Sequence, residues 1–153
     1  MVVERFEVRP GLGIGSIDIG MSRSSAIAAA TADGLTVEDF RRGPGSGKPD
    51  LFIGSQLFAY FDADGAVEEV EVAIPSSSRE LAVECLGLDL DASYASVRRQ
   101  MSAIGRSDEA DVESGATSYP ELGLMLWADA GPEDFADVRV QAILVCSGEP
   151  ADS

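Results

Sequence analysis

The order of apolar and polar positions occurs twice along the chain. Each half begins with a short alternating segment, at residues 17–19 and again at residues 88–90. A serine follows, then a stretch with helical spacing, and then a glycine, so the pattern predicts helices at residues 22–33 and 93–104. Each serine is a candidate N-cap, because its side-chain oxygen can accept an N–H group that the first helical turn leaves unpaired.

The rest of each half has the alternation of β-strands. These predicted strands lie at residues 35–40, 51–61 and 66–74, and at residues 110–119, 121–128 and 136–145. Strands joined by short turns must run antiparallel. The sequence therefore predicts an α+β fold of tandem duplicated units, each a helix packed on one face of an antiparallel sheet. The first unit spans residues 1–75, the connection residues 76–78, and the second unit residues 79–153.

Alternation within the strands also predicts which side chains face away from the helices. In the last strand of the first unit, Val70 and Val72 form an apolar set, so Glu69 and Glu71 are expected on the open face. In the last strand of the second unit, Val138, Val140, Ala142 and Leu144 are assigned to the helix side, opposite Arg139, Gln141 and Ile143. This assignment places Arg139 and Gln141 on the open face.

The aromatic residues of the open face are predicted from the second unit. The leucines at positions 122, 124 and 126 form one set, which places Met125 and Trp127 on the opposite face. Aligning AYFDADG with MLWADAG puts Phe61 over Trp127, so Phe61 is expected on the open face as well. The alternative is that Phe61 and Trp127 lie in the core or in the seam between the units.

Charge restricts the class of partner. The chain has 153 residues, with 27 acidic against 11 basic side chains and a net charge of −16. Such a charge repels nucleic acid and anionic membranes and favours the capture of a basic protein. The sequence has neither a signal-peptide pattern nor an apolar run of membrane-spanning length, so a cytoplasmic location is expected. A solvated acidic surface without any partner is the alternative.

The residue types present argue against catalysis. The chain has no histidine, the commonest general base and metal ligand. The run RRGPGSGKPD resembles a phosphate-binding loop only in Gly47 and Lys48, because Arg42 and Pro49 stand where that loop needs glycine and a hydroxyl. Cys85 and Cys146 are expected to be buried free thiols. We therefore predict no enzyme activity, no cofactor and no metal, although paired carboxylates leave glycoside hydrolysis as an alternative.

The stretch IDIGMSRSSAIAAA resembles the start of the repeated unit in the beta-lactamase-inhibitor-protein and BamE-like fold group. The resemblance is specific over residues 17–27, and the tandem arrangement extends it over most of the chain. The second unit departs from the motif, with Asp91 and Ala92 in place of Gly20 and Met21. The segment SYPELGLMLW is also similar to uncharacterised bacterial proteins, some of them like immunity proteins of toxin systems. The resemblance implies protein binding through an aromatic-bearing concave sheet, without catalysis.

These observations lead to two hypotheses of different classes. The first is a protein-binding inhibitor or immunity-like protein that uses the open sheet face, with Phe61, Met125 and Trp127 as anchors. The second is a small-molecule sensor or carrier with a pocket between the two sheets. The sequence does not decide between them.

Overall fold

The computed structural model describes residues 5–40, 50–54, 56–74, 82–104, 111–113, 115–129 and 132–147. Within these residues the fold is α+β, with two α-helices and twelve strands in two sheets. The strands are β1 Arg5–Arg9, β2 Gly13–Ile14, β3 Ile17–Asp18, β4 Val37–Phe40, β5 Asp50–Ile53, β6 Leu57–Phe61, β7 Val67–Ala73, β8 Ala82–Cys85, β9 Asp111–Glu113, β10 Ala116–Tyr119, β11 Leu124–Trp127 and β12 Ala142–Cys146. The helices are α1 Arg23–Ala32 and α2 Tyr94–Ala103, and short 3-10 turns lie at Pro120–Leu122 and Pro132–Asp134.

Eight strands form one continuous antiparallel sheet in the order β4-β5-β6-β7-β12-β11-β10-β9. Each half of the sheet is a run of four strands that follows one helix in the chain. The two runs meet at β7 and β12, which pair antiparallel with Val72 opposite Ile143 and Val70 opposite Val145. The strands of the two halves therefore lie edge to edge and share one core.

A smaller, four-stranded sheet packs on one face of the large sheet. Its order is β3-β2-β1-β8, and β1 and β8 pair in parallel although they come from different halves of the sequence. Strand β2 lies against β7 and β12. Phe6, Val8, Ile14 and Ile17 from this sheet are buried in the same core cluster as the helices and the large sheet.

The predicted helices and their caps are confirmed. The Ser22 hydroxyl accepts the backbone N–H of Ser25, and the Ser93 hydroxyl accepts that of Ser96. Helix α1 fully buries only Ala26 and Ala30 against the core, whereas α2 buries Tyr94, Val97 and Met101. The first turn of α2 has a further anchor, because the Tyr94 N–H donates to the Val138 carbonyl at 2.7 Å.

Some predicted strand boundaries were wrong. Residues 88–90 form no strand, since the chain turns after β8 and the Leu88 N–H donates to the Cys85 carbonyl. The segments 51–61 and 110–119 each contain two strands, because the chain reverses near Gly54 and Gly115. Both glycines have positive φ, of 64° and 84°, a conformation that other residues adopt only with strain.

Two predicted features lie outside the described residues. They are the glycine-rich segment 41–49, which contains the phosphate-loop resemblance, and the connection at residues 76–78. The turn at residues 62–65 is described, and it joins β6 to β7 as expected. Its Asp62 carboxylate accepts the backbone N–H groups of Asp64 and Ala66, so this aspartate stabilises the hairpin turn.

Candidate protein-binding face

The two faces of the large sheet have different surroundings. Both helices and the small sheet pack on one face, and every large-sheet residue of the core cluster belongs to that face. The side chains that alternate with this set point to the other side, which we call the open face. The buried set comprises Leu51, Ile53, Leu57, Ala59, Phe61, Val67, Val70, Val72, Tyr119, Leu124, Leu126, Ile143 and Val145.

The glutamates of β7 lie on the open face, as predicted. Val70 and Val72 are fully buried, and the alternating Glu69 and Glu71 are half-buried on the opposite side. Cross-strand pairing places Glu71 between Phe58 of β6 and Leu144 of β12. These carboxylates therefore stand in the middle of the sheet, among apolar side chains, and not at its rim.

Trp127 and Met125 also lie on the open face. Trp127 is 38 % exposed, and Met125 is half-buried. Trp127 pairs across the sheet with Ala116 on one side and Ala142 on the other. Because both neighbours end at Cβ, neither can cover the indole ring. The tryptophan is a surface residue, and the alternative of a core position was wrong.

The prediction for Phe61 was wrong. Its side chain is only 7 % exposed and belongs to the core cluster. Glu71 pairs with Leu144 at the centre of the sheet, and their outer neighbours are Phe58 on β6 and Met125 on β11. Tyr60 lies two residues after Phe58, just as Trp127 lies two residues after Met125, so Tyr60 and Trp127 take equivalent positions. The alignment of Phe61 with Trp127 was therefore shifted by one residue. A shift of one residue along a strand moves a side chain to the other face of the sheet.

The placement of Arg139 and Gln141 within an open-face strand was also wrong. Strand β12 begins at Ala142, so both residues lie in the segment that leads into it. Arg139 is exposed, and the Gln141 side-chain oxygen accepts the backbone N–H of Asp129 at 3.1 Å. The Gln141 backbone stays bonded to the sheet, because its N–H donates to the Trp127 carbonyl and its carbonyl accepts the Ile74 N–H. The expected alternation fails because Ile143 and Val145 face the core, which puts Leu144 on the open face instead. Further upstream, the Val138 carbonyl accepts the first N–H of α2.

An aromatic cluster on the first half of the open face was missed as a site. The ring centroids of Phe52 and Phe58 are 4.8 Å apart, and those of Phe58 and Tyr60 are 6.3 Å apart. Alternation within β6 alone sets Phe58 and Tyr60 against the buried set, so the signal was present. The repeat alignment outweighed it and selected Phe61 instead.

The Tyr60 hydroxyl links this cluster to the glutamates. It donates to Glu71 Oε1 at 3.2 Å. Burial, followed by the nearby charge of Glu71, raises the pKa of Tyr60 well above its usual value. The phenol therefore stays protonated and remains a hydrogen-bond donor to the carboxylate at any physiological pH.

The cysteines do not form a disulfide. Cys85 is buried, Cys146 is half-buried, and both are free thiols. Burial raises the pKa of Cys85 to about 12, so its reactive thiolate is scarce at neutral pH. Cys146 pairs across the sheet with Glu69 and lies on the open face, so the prediction of a buried thiol holds for Cys85 alone.

The described part of the chain contains no metal-binding cluster and no membrane-spanning helix. Among those residues, no group of three or more histidine, cysteine, aspartate or glutamate side chains is arranged to hold a metal ion. In the same residues, neither helix is long and apolar enough to span a bilayer.

Comparison of the chain with protein-family models, curated proteins and solved structures finds no match.

Proposed function

We propose that this chain is a non-enzymatic, cytoplasmic protein that binds a basic protein through the open face, as an inhibitor or an immunity-like protein. One observation carries the proposal. Trp127 stands 38 % exposed on a wide sheet whose opposite face is filled by helices and a second sheet. Exposed aromatic side chains on rigid elements are typical binding anchors, because they bury a large area at small entropic cost.

The rigidity of the sheet supports this role. The open face lies on eight hydrogen-bonded strands, and its central strands β7 and β12 are paired on both sides. Side chains on such strands have few alternative positions before a partner arrives. A preorganised surface loses less conformational entropy on binding than a mobile loop does.

Tandem duplication is part of the proposal. Each half has a serine-capped helix followed by four antiparallel strands, and the halves meet at their last strands. This arrangement agrees with the repeat in the sequence and with the architecture that the resemblance to the inhibitor and BamE-like group implies.

The charge of the chain indicates the kind of partner. The net charge is −16, and Glu69 and Glu71 bring acidic groups to the centre of the open face. A basic protein is attracted to such a surface at long range, and added salt screens this attraction over about 8 Å at physiological ionic strength. The association rate should therefore fall as the salt concentration rises.

The alternative of a pocket between the sheets has weaker support. The strands expected to form two separate sheets join edge to edge at β7 and β12 into one sheet, so these strands enclose no space between them. The space between the small sheet and the large one contains Phe6, Val8, Ile14 and Ile17, all buried in the core. A ligand there would have to displace close-packed side chains, which costs stability. The close packing of the described core therefore does not favour a small-molecule sensor or carrier.

The test is the affinity of the partner for variants of the open face. A partner retained by the wild-type chain from a lysate of the source cell is identified, purified and titrated against Trp127→Ala. We expect this variant to lose about 2 kcal/mol of binding free energy, close to a thirtyfold change in Kd. Leu12→Ala is the matched control, because Leu12 is a large exposed apolar side chain outside the large sheet.

Two further measurements make the result decisive. A denaturation curve on Trp127→Ala must show that the variant is folded at the temperature of the titration. The association rate of the wild type is then measured at low and high salt. Equal affinities of Trp127→Ala and wild type, or an association rate independent of salt, would contradict the proposal.

A further inference from the structure

The surroundings of Glu71 indicate what the open face recognises. Glu71 lies on β7, one of the two central strands of the sheet, and is half-buried. Its cross-strand neighbours are Phe58 and Leu144, and Met125 follows Leu144 in the same row. A carboxylate flanked by apolar side chains has lost part of its hydration. A cation that replaces this hydration therefore interacts more strongly here than at an ordinary surface acid.

Tyr60 fixes the carboxylate in place. Its hydroxyl donates one hydrogen bond, to Glu71 Oε1 at 3.2 Å. A carboxylate can accept about four hydrogen bonds, so this contact orients the group and leaves further acceptor capacity. The raised pKa of Tyr60 keeps its hydroxyl in the donating form. The side chain of Glu71 is thus held in a defined position before any partner binds.

The aromatic cluster beside Glu71 adds a second kind of contact. Phe52, Phe58 and Tyr60 are linked by centroid distances of 4.8 Å and 6.3 Å, and they lie on the same face as the carboxylate. A planar guanidinium stacks on aromatic faces and binds carboxylates through two parallel hydrogen bonds. The compact, strongly hydrated ammonium of lysine makes neither arrangement as well. The combination of groups therefore fits arginine better than lysine.

We propose that Glu71, held by Tyr60 and flanked by Phe58, binds an arginine side chain of the basic partner. This inference rests on the proposed function and names the group that the open face recognises. Apolar residues of the partner next to that arginine pack on Leu144, Met125 and Trp127. Two strand spacings and two residues separate Glu71 from Trp127, about 12 Å, a distance that a short extended segment spans.

The probe is the pentapeptide Arg-Gly-Leu-Gly-Leu, which in extended form places the arginine and both leucines on one face, acetylated and amidated so that its ends carry no charge. Calorimetry gives its affinity near physiological salt, and the fluorescence of Trp127, the only tryptophan of the chain, reports whether it lies on the open face. We expect saturable binding with a change in Trp127 fluorescence. Replacing arginine by citrulline, its neutral isostere, should weaken binding by about tenfold, as loss of a charge-assisted hydrogen bond does.

Matched variants of the protein separate the site from the overall charge. Glu71→Gln and Glu121→Gln change the net charge equally, but Glu121 is exposed in the 3-10 turn before β11. We expect about a tenfold loss of peptide affinity for Glu71→Gln and less than about a twofold loss for Glu121→Gln. Tyr60→Phe, which keeps the ring and frees the carboxylate, should give a smaller loss. A peptide with lysine in place of arginine should bind more weakly than the arginine peptide.

Three outcomes overturn the inference. They are no binding of the arginine peptide, equal losses for Glu71→Gln and Glu121→Gln, and equal affinity of the arginine and citrulline peptides. None of them decides the proposed function, which depends on the partner and the Trp127→Ala variant. Conversely, if Trp127→Ala loses affinity for the partner and Glu71→Gln does not, the open face remains the binding surface and Glu71 is not an arginine site.

Discussion

The hydroxyl of Tyr94 offers a sharp test of how the second half is held together. Tyr94 begins α2 and has no exposed surface, and its ring centroid lies 4.3 Å from that of Phe135. The hydroxyl lies 2.7 Å from Thr117 Oγ1 and 2.8 Å from the Leu126 carbonyl. A phenol has one proton, so it can donate to one of these oxygens while the threonine hydroxyl donates to it. The group therefore joins α2 to β10 and β11.

Tyr94→Phe removes this connection and keeps the ring. The Thr117 hydroxyl, itself fully buried, and the Leu126 carbonyl then lose a partner in a place that bulk water does not reach. Leaving a buried polar group unsatisfied costs about 1–3 kcal/mol, and we expect a loss of about 2 kcal/mol in the free energy of unfolding. In a chain of this length, that corresponds to a fall of about 4–8 °C in Tm.

Urea denaturation followed by circular dichroism measures the change. Tyr60→Phe is the matched control, because it removes the same hydroxyl from the half-buried open face, where water can replace it. We expect the control to lose less than about 1 kcal/mol. A free energy of unfolding for Tyr94→Phe within about 0.5 kcal/mol of the wild-type value, the range of neutral surface substitutions, would refute a structural role for this hydroxyl. Equal losses of stability in Tyr94→Phe and Tyr60→Phe would refute it as well.

Two other predictions concern the small sheet. A Cβ at Gly13 would lie 2.0 Å from the Ile17 carbonyl oxygen, whereas one at Gly65 would meet nothing within 4 Å and would add only the strain of its positive φ of 83°. Gly13→Ala should therefore lower Tm much more than Gly65→Ala, and equal shifts would contradict the packing of β2 on β3. The pKa of Cys85 is raised in the folded chain, to about 12 from 9.0. Its contribution to stability is therefore full below pH 9 and is lost as the pH rises towards 12. Urea unfolding at pH 8 to 10.5 should show a steeper fall for wild type than for Cys85→Ala, and equal slopes would refute the assignment.

Local signals predicted the helices and the two faces of β7 well. Ser22 and Ser93 were identified as N-caps from a serine before a helical pattern, because capping depends on residues only three positions apart. The opposition of Glu71 to Val72 follows from strand geometry alone, so one strand sufficed to predict it. Predicting the exposure of Trp127 also requires knowing that its cross-strand neighbours are small. The sequence does not identify these neighbours, because they depend on the strand register.

Predictions that depended on distant parts of the chain were less successful. The sequence does not show that β1 pairs with β8, because that contact joins residues more than seventy positions apart. The turn near Gly54 divides a long apolar segment that has the pattern of one strand. Arg139 and Gln141 were misplaced because Ile143 and Val145 of β12 face the core, and because the Val138 carbonyl bonds to the N-terminus of α2. In each case tertiary contacts decide what the local pattern leaves open.

The two halves of the open face differ in chemistry, and under the proposed function this difference determines how a partner would bind. A sheet of two identical halves, related by the antiparallel pair β7–β12, would accept the same ligand in two opposite orientations. Here Glu71 stands opposite Leu144, and Tyr60 takes the position that Trp127 takes in the other half. A cationic group is therefore favoured over the first half and an apolar group over the second. A partner that carries both has one preferred orientation, and specificity arises from the unfavourable contacts of the reversed one.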